Sequence, residues 1–200
     1  MSISSVKTGE VGTSLLAGNT AELSDFESIA TVSVTSASTV SATFSNIPST
    51  YAHLQIRGIS RTTGAGSSAG NLRLTLNSDT GSNYSSHYVS GDGAAVSTTS
   101  FNSGTYSWAG GWTNNVDSTA MSFAGTIIDI LDYANTNKYT TVRTFSGVSL
   151  NNTSGAVALI SGLWMNTSAV TTVTLQILTG SGYDLSQYSH LALYGIKAAS

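Results

Sequence analysis

Apolar residues recur at every second position through most of this chain, with hydroxyl or amide side chains between them. Leu72, Leu74 and Leu76 are separated by Arg73 and Thr75, and Val173, Leu175 and Ile177 by Thr174 and Gln176. Leu54 and Ile56 flank Gln55, Ala42 and Phe44 flank Thr43, and Leu191 and Leu193 flank Ala192. Successive side chains of a strand leave opposite faces, so each run has one dry face and one wet face. A helix does not have that period. Ser and Thr, roughly a third of the residues against far lower ordinary usage, are also poor in helix interiors. Turn chemistry punctuates the runs at Asn46-Ile47-Pro48-Ser49, at Asp79 to Asn83, at Asn135-Thr136-Asn137 and at Asn151 to Gly155. About eight to ten short strands at this spacing predict an all-β fold, an antiparallel β-sandwich of jelly-roll-like form.

The expected core is Leu54, Ile56, Leu72, Leu74, Leu76, Phe123, Ile127, Val173, Leu175, Ile177, Leu191 and Leu193. Phe123 and Ile127 enter it because Met121, Phe123 and Ile127 share one parity of a strand ending near Asp132. Ser90 to Asn115 is Gly-, Ser- and Thr-rich and reads as a long loop or irregular hairpin; a short turn near Leu185 to Tyr188 is the nearest thing to a helix signal. Residues 1–25 lack the alternation and read as an N-terminal arm or anchor, with residues 26–200 as the sandwich domain. Within the arm, Val11, Leu15 and Leu16 form an apolar cluster fit to anchor a partner. The start has no basic segment followed by an apolar one, and no apolar run approaches the roughly 20 residues of a membrane span, so neither a signal peptide nor membrane insertion is expected.

Charged residues are 8% of the chain, against about 25% in ordinary globular proteins. A net charge of −3 from 7 basic and 10 acidic residues argues against nucleic acid as a partner. There is no Cys, which excludes disulfides, thiolate metal sites and a Cys nucleophile. His53, His87 and His190 are not spaced as a ligand pair. Gly66-Ser67-Ser68-Ala69-Gly70 matches G-x-S-x-G, but an alternating strand follows Gly70 where a hydrolase elbow needs a helix. Asn77 to Asn83 has oxygens at alternate positions like a weak calcium loop, yet only one carboxylate, and reads better as a hydrogen-bonded hairpin turn. Asp129 and Asp132 are three apart and would leave opposite faces of one strand, so they do not form a carboxylate pair. No catalytic residue, cofactor or metal is expected. Tyr106, Trp108 and Trp112 are candidates for glycan stacking, or else pins for a glycine-rich segment; together with Trp164 as an open platform they would mark a carbohydrate-binding module.

Several segments resemble tailed-phage virion structural proteins of the decoration, head-fibre or tail-fibre type, known from marine and cyanobacterial phages. They are Phe26-Glu27-Ser28-Ile29-Ala30, Ile47-Pro48-Ser49-Thr50-Tyr51 with His53 to Gly58, Asp79 to Tyr84 with His87-Tyr88, Asp129 to Lys138 with Val142-Arg143, Ser161-Gly162-Leu163-Trp164, and Ala192 to Lys197. The resemblance covers about Phe26 to Lys197 and leaves out the arm. It implies a non-enzymatic component of the virion exterior, a capsid decoration or head-fibre protein held by its arm. The alternative is a tail-fibre or receptor-binding module that takes a host surface glycan. The expected partners are copies of the chain, as a homotrimer, and other virion proteins such as the major capsid protein or a tail protein.

Overall fold

Each alternating run becomes a strand, and the dry faces of two sets of strands close on each other. The structure, a computed structural model, describes residues 25–36, 39–64, 70–114, 122–149, 155–178 and 183–198. Its strands are β1 (Phe26–Ser33), β2 (Ser41–Phe44), β3 (His53–Ser60), β4 (Gly70–Leu76), β5 (Tyr84–Gly91) and β6 (Val96–Gly104). They continue as β7 (Trp112–Thr113), β8 (Ala124–Leu131), β9 (Thr140–Ser149), β10 (Gly155–Trp164), β11 (Val173–Ile177) and β12 (His190–Ile196). A large sheet has the order β1-β12-β3-β8-β9-β10-β5-β6 and a small one the order β2-β11-β4-β7. All named pairs are antiparallel. The chain is an all-β sandwich.

The core is the contact between the sheets. Leu72, Leu74 and Leu76 of β4, and Val173, Leu175 and Ile177 of β11, are buried from the small sheet. Leu54, Ile56, Ile128, Ile130, Val142, Ile160, Leu191 and Leu193 are buried from the large one. Registers such as Leu74↔Leu175 and Ile56↔Ile128 put like side chains directly opposite within each sheet, the arrangement in which cross-strand pairs stabilise it.

Two expected core residues fall elsewhere. Phe123 lies outside β8 and is half-buried, and Ile127 points to the outer face of the large sheet. The inward residues of β8 are Ala124, Thr126, Ile128 and Ile130. Ile127 and Ile128 are adjacent and equally apolar, so a slip of one residue in parity carries no penalty in the pattern. Met121 lies outside the described residues. β8 also ends at Leu131, so Asp132 belongs to the following turn, with a positive φ of 50°.

Twelve strands among the described residues replace the expected eight to ten, because Ser90 to Asn114 takes the hairpin rather than the loop alternative and adds a further short strand. β5 and β6 form a hairpin around Asp92, whose carboxylate accepts the N–H groups of Ala94 and Ala95 at 2.9 and 2.7 Å. A 3-10 turn, Trp108–Gly110, and β7 follow. Hydroxyls on the inner face of the large sheet seat this segment: Ser86 accepts from the Trp108 N–H, Ser146 from the Trp112 N–H, and Thr144 donates to the Ala109 carbonyl. Gly111 has φ 87°, which glycine alone adopts cheaply.

Replacing Leu74 by Ala is expected to lower the unfolding free energy by about 2–5 kcal/mol. Ile127→Ala, on the outer face, is expected to cost less than half as much. Urea unfolding of the two variants measures the parity of β8 directly.

Candidate functional site: the outer face of the large sheet

The outer face of the large sheet is organised in rows that run across the strands. In one row His87, Ser161, Arg143, Asp129, Gln55 and Tyr194 stand directly opposite one another on β5, β10, β9, β8, β3 and β12. Gln55 ties part of this row together. Its Nε2 donates to Asp129 Oδ1 at 2.7 Å, and its Oε1 accepts from Arg57 Nε at 2.5 Å. The next row is apolar: Val89, Leu159, Phe145 and Ile127, ended by Arg57. The third is Gly91, Val157, Gly147, Gly125 and Ile59. Between the polar and apolar rows lies an open depression of about 690 Å³. A second, of about 500 Å³, follows the glycines. Val89, Phe145, Leu159, Val157 and Ile59 are all exposed.

Alternation does not announce this face. Phe145 and Leu159 sit beside inward residues, Thr144 and Ile160, and apart from Arg143 their strands are apolar or small on both parities. Apolar residues on both faces of a strand are the available sign that both faces meet something dry. Only knowledge of the pairing converts that sign into rows.

The aromatic candidates have internal contacts. Trp108 and Phe101 stack with centroids 5.1 Å apart, and Phe101 and Tyr106 at 5.4 Å. Tyr88 tilts against Trp108 at 5.7 Å, and the Arg73 guanidinium lies 5.9 Å from the Tyr106 ring centroid. Phe101 thus joins Tyr106 to Trp108. Trp112 lies apart from them, packed against Ala124 and Val148. Trp164 is buried, so the four rings do not form one open platform. Val11, Leu15 and Leu16 lie outside the described residues, as do residues 66–69 of the G-x-S-x-G match; Gly70 opens β4.

The loop from Asn77 to Asn83 is closed by its one carboxylate. Asp79 Oδ1 accepts the Gly81 N–H at 2.8 Å. Asp79 Oδ2 accepts from Asn83 Nδ2 at 2.9 Å and from the indole N–H of Trp164 at 2.7 Å. Burial alone would raise the Asp79 carboxyl; the donors on Asn83, Trp164 and Gly81 outweigh it and hold the group below the usual carboxylate value. The neighbouring Tyr84 hydroxyl accepts the Leu76 N–H at 3.0 Å, and burial pushes that phenol up to about 12.

The histidines are dispersed. His53 Nδ1 accepts the Asp132 N–H at 3.0 Å, while His87 and His190 are exposed on different strands. Among the described residues no group of three or more His, Cys, Asp or Glu is placed to hold a metal ion, and no helix is long and apolar enough to cross a membrane. No protein-family model, no curated protein and no solved structure matches the chain.

Because the folded-state pKa of Asp79 is depressed, its contribution to stability is present above the ordinary carboxylate range and is lost as pH falls through the folded value. Stability is therefore expected to fall on acidification below about pH 4, more steeply in the native chain than in Asp79→Ala. At neutral pH that variant leaves the buried Trp164 indole N–H without its acceptor, at a cost of about 1–3 kcal/mol. Thermal unfolding of both chains across the acid range measures the two effects.

Proposed function

We propose that this chain is a non-enzymatic structural component of a tailed-phage virion, a jelly-roll-like module on the particle exterior that works by packing against protein. Its role is capsid decoration or a head fibre, with the N-terminal arm as its attachment. The observation that carries the reading is the outer face of the large sheet, where Leu159, Val157 and Phe145 are 57%, 54% and 51% exposed. Apolar side chains in adjoining rows, aliphatic apart from Phe145, suit another protein surface better than a sugar, which stacks on platforms of aromatic rings. The rings of Tyr106 and Trp108, which a receptor-binding module would offer to a host glycan, share their contacts with Phe101 instead.

The resemblance of Phe26 to Lys197 to virion proteins supplies the setting, and the arm supplies the address. Ordering an arm costs roughly 1–2 kcal/mol of backbone entropy per residue, so a few buried leucines need the multiplication that an oligomer provides. The test is a density map of the intact particle, together with binding of a chain lacking residues 1–24 to particles deficient in the protein. The expected result is a folded truncated chain that no longer attaches, and full-length chain on the particle exterior. Absence of the chain from purified particles overturns the reading. So does a specific glycan whose binding disappears in Trp108→Ala.

A further inference from the structure

We propose that the outer face of the large sheet pairs with the same face of a second copy of this chain, about a two-fold axis that runs between the apolar row and the glycine row. The pairing rests on the assembly reading above for its purpose, not for its geometry.

The glycines carry the argument. A Cβ on Gly125 would meet nothing within 4 Å, and one on Gly91 would meet only the Ala95 carbonyl oxygen at 3.8 Å. At Gly147 the nearest atoms are Val157 Cγ1 at 3.3 Å and the Ala156 carbonyl oxygen at 3.4 Å, a tight fit that a small shift relieves. None of the three has a positive φ. The isolated chain therefore has both the space and the backbone conformation for side chains here. Glycine weakens a strand, and where the fold does not need it, it marks the close approach of another backbone or a ligand. Three such positions lie in one row, directly beside a row of exposed apolar side chains.

A ridge beside a trough is self-complementary under one operation. A two-fold axis parallel to the rows, placed between them, leaves each strand over its own counterpart and exchanges the rows. Phe145 then faces the partner's Gly147, Ile127 faces the partner's Gly125, and Val89 faces the partner's Gly91. On β10, between the Val89 and Phe145 contacts, Leu159 meets the partner's Val157. The strands of the two copies run in opposite directions, and their sheets pack in the aligned manner of a sandwich. The polar row falls on the far side of the apolar row, so Arg143 and Asp129 stay at the rim; Arg57, the one charge within the exchanged rows, lies at the edge of the patch on β3, where its Nε is already held by Gln55. Five strands and the two exchanged rows span on the order of 300 Å² in projection, and the polar row with the row it faces beyond the glycines adds about as much again. Side-chain relief and the exposed Val96 on β6 extend this toward the roughly 800 Å² per partner of a standard interface. A contact of this kind is isologous and closes as a dimer, so it differs from the threefold association expected from the sequence.

Sedimentation of the full chain across the micromolar range tests the proposal. The expected result is a reversible dimer. Gly125→Leu, which fills the trough where the isolated chain has open space, should weaken it at least about tenfold. Phe145→Ser, which removes the ridge, should do the same. Thr141→Lys, on the same face but beyond the polar row, should leave it unchanged, and circular dichroism should show all three variants folded. A monomer throughout overturns the proposal, and so does an oligomer that survives both Gly125→Leu and Phe145→Ser. An oligomer lost on deleting residues 1–24 but retained in Gly125→Leu overturns it in favour of the arm as occupant. A dimer formed by a chain that is missing from particles defeats only the virion reading; a monomer located on the particle exterior defeats only the pairing.

Discussion

The packing of a four-stranded sheet against an eight-stranded one governs everything else in this protein. The small sheet contributes Leu72, Leu74, Leu76, Val173, Leu175 and Ile177, and the large sheet answers with the buried aliphatic residues of β3, β8, β9, β10 and β12. Burial of apolar area at roughly 25 cal/mol per Å² is the principal favourable term available to a chain with so few charges. The two layers are unequal, however. Four strands do not cover the inner face of eight, and the remainder is closed by the 3-10 turn and its flanks. That segment is seated on Ser86, Thr144 and Ser146. Trp108 and Trp112 therefore belong to the closure of the sandwich. Nothing from the described residues covers the opposite face.

Hydroxyls and amides do the polar work that ion pairs do in other proteins. Asp79 binds Gly81, Asn83 and Trp164, and Asn77 Nδ2 donates to the Ala169 carbonyl at 2.8 Å while its Oδ1 accepts the Thr171 N–H at 2.8 Å. These contacts join the turn after β4 to the segment between β10 and β11, nearly a hundred residues away in sequence. The ion pairs lie at the margins. Lys138 pairs with Asp132, and Lys197 with Glu27 at 2.8 Å. The Lys138–Asp132 pair is exposed and contributes little to stability, while Glu27 is partly buried and also accepts from the Tyr51 hydroxyl at 2.9 Å. The stability of such a chain depends weakly on salt and more on a small number of buried N–H to oxygen contacts, whose loss strands a donor in a dry interior.

The same economy shapes the surface. A low charge leaves wide faces neutral, and a neutral face with an apolar row is costly in water unless something meets it. A glycine row beside it supplies the matching relief without adding chemistry. Self-association needs no catalytic group and no cofactor, only a face whose relief repeats under a symmetry operation.

Much of the fold was legible in the residues. A period of two specifies strands, and the turn residues between runs specify where they end, because both effects are local to a few residues. Hence Leu54, Ile56, Leu72, Leu74, Leu76, Val173, Leu175, Ile177, Leu191 and Leu193 were assigned to the core from sequence and are buried. The pattern falls silent where neighbours are equally apolar. Ile127 and Ile128 offer either parity, and only the closing of the sheets selects Ile128 for the interior. Composition left Val96–Gly104 open between a long loop and an irregular hairpin, and its Ser and Thr residues form the second strand of a hairpin because β5 is there to pair with them. The candidate site was the least visible part. Its rows join residues of β5, β10, β9, β8 and β3, and its trough depends on three glycines that share a row only through strand pairing. Alternation along a chain reports which side of its own strand a residue occupies. The neighbour it stands beside is decided by register across strands, and register is set only when the two sheets close on their common core.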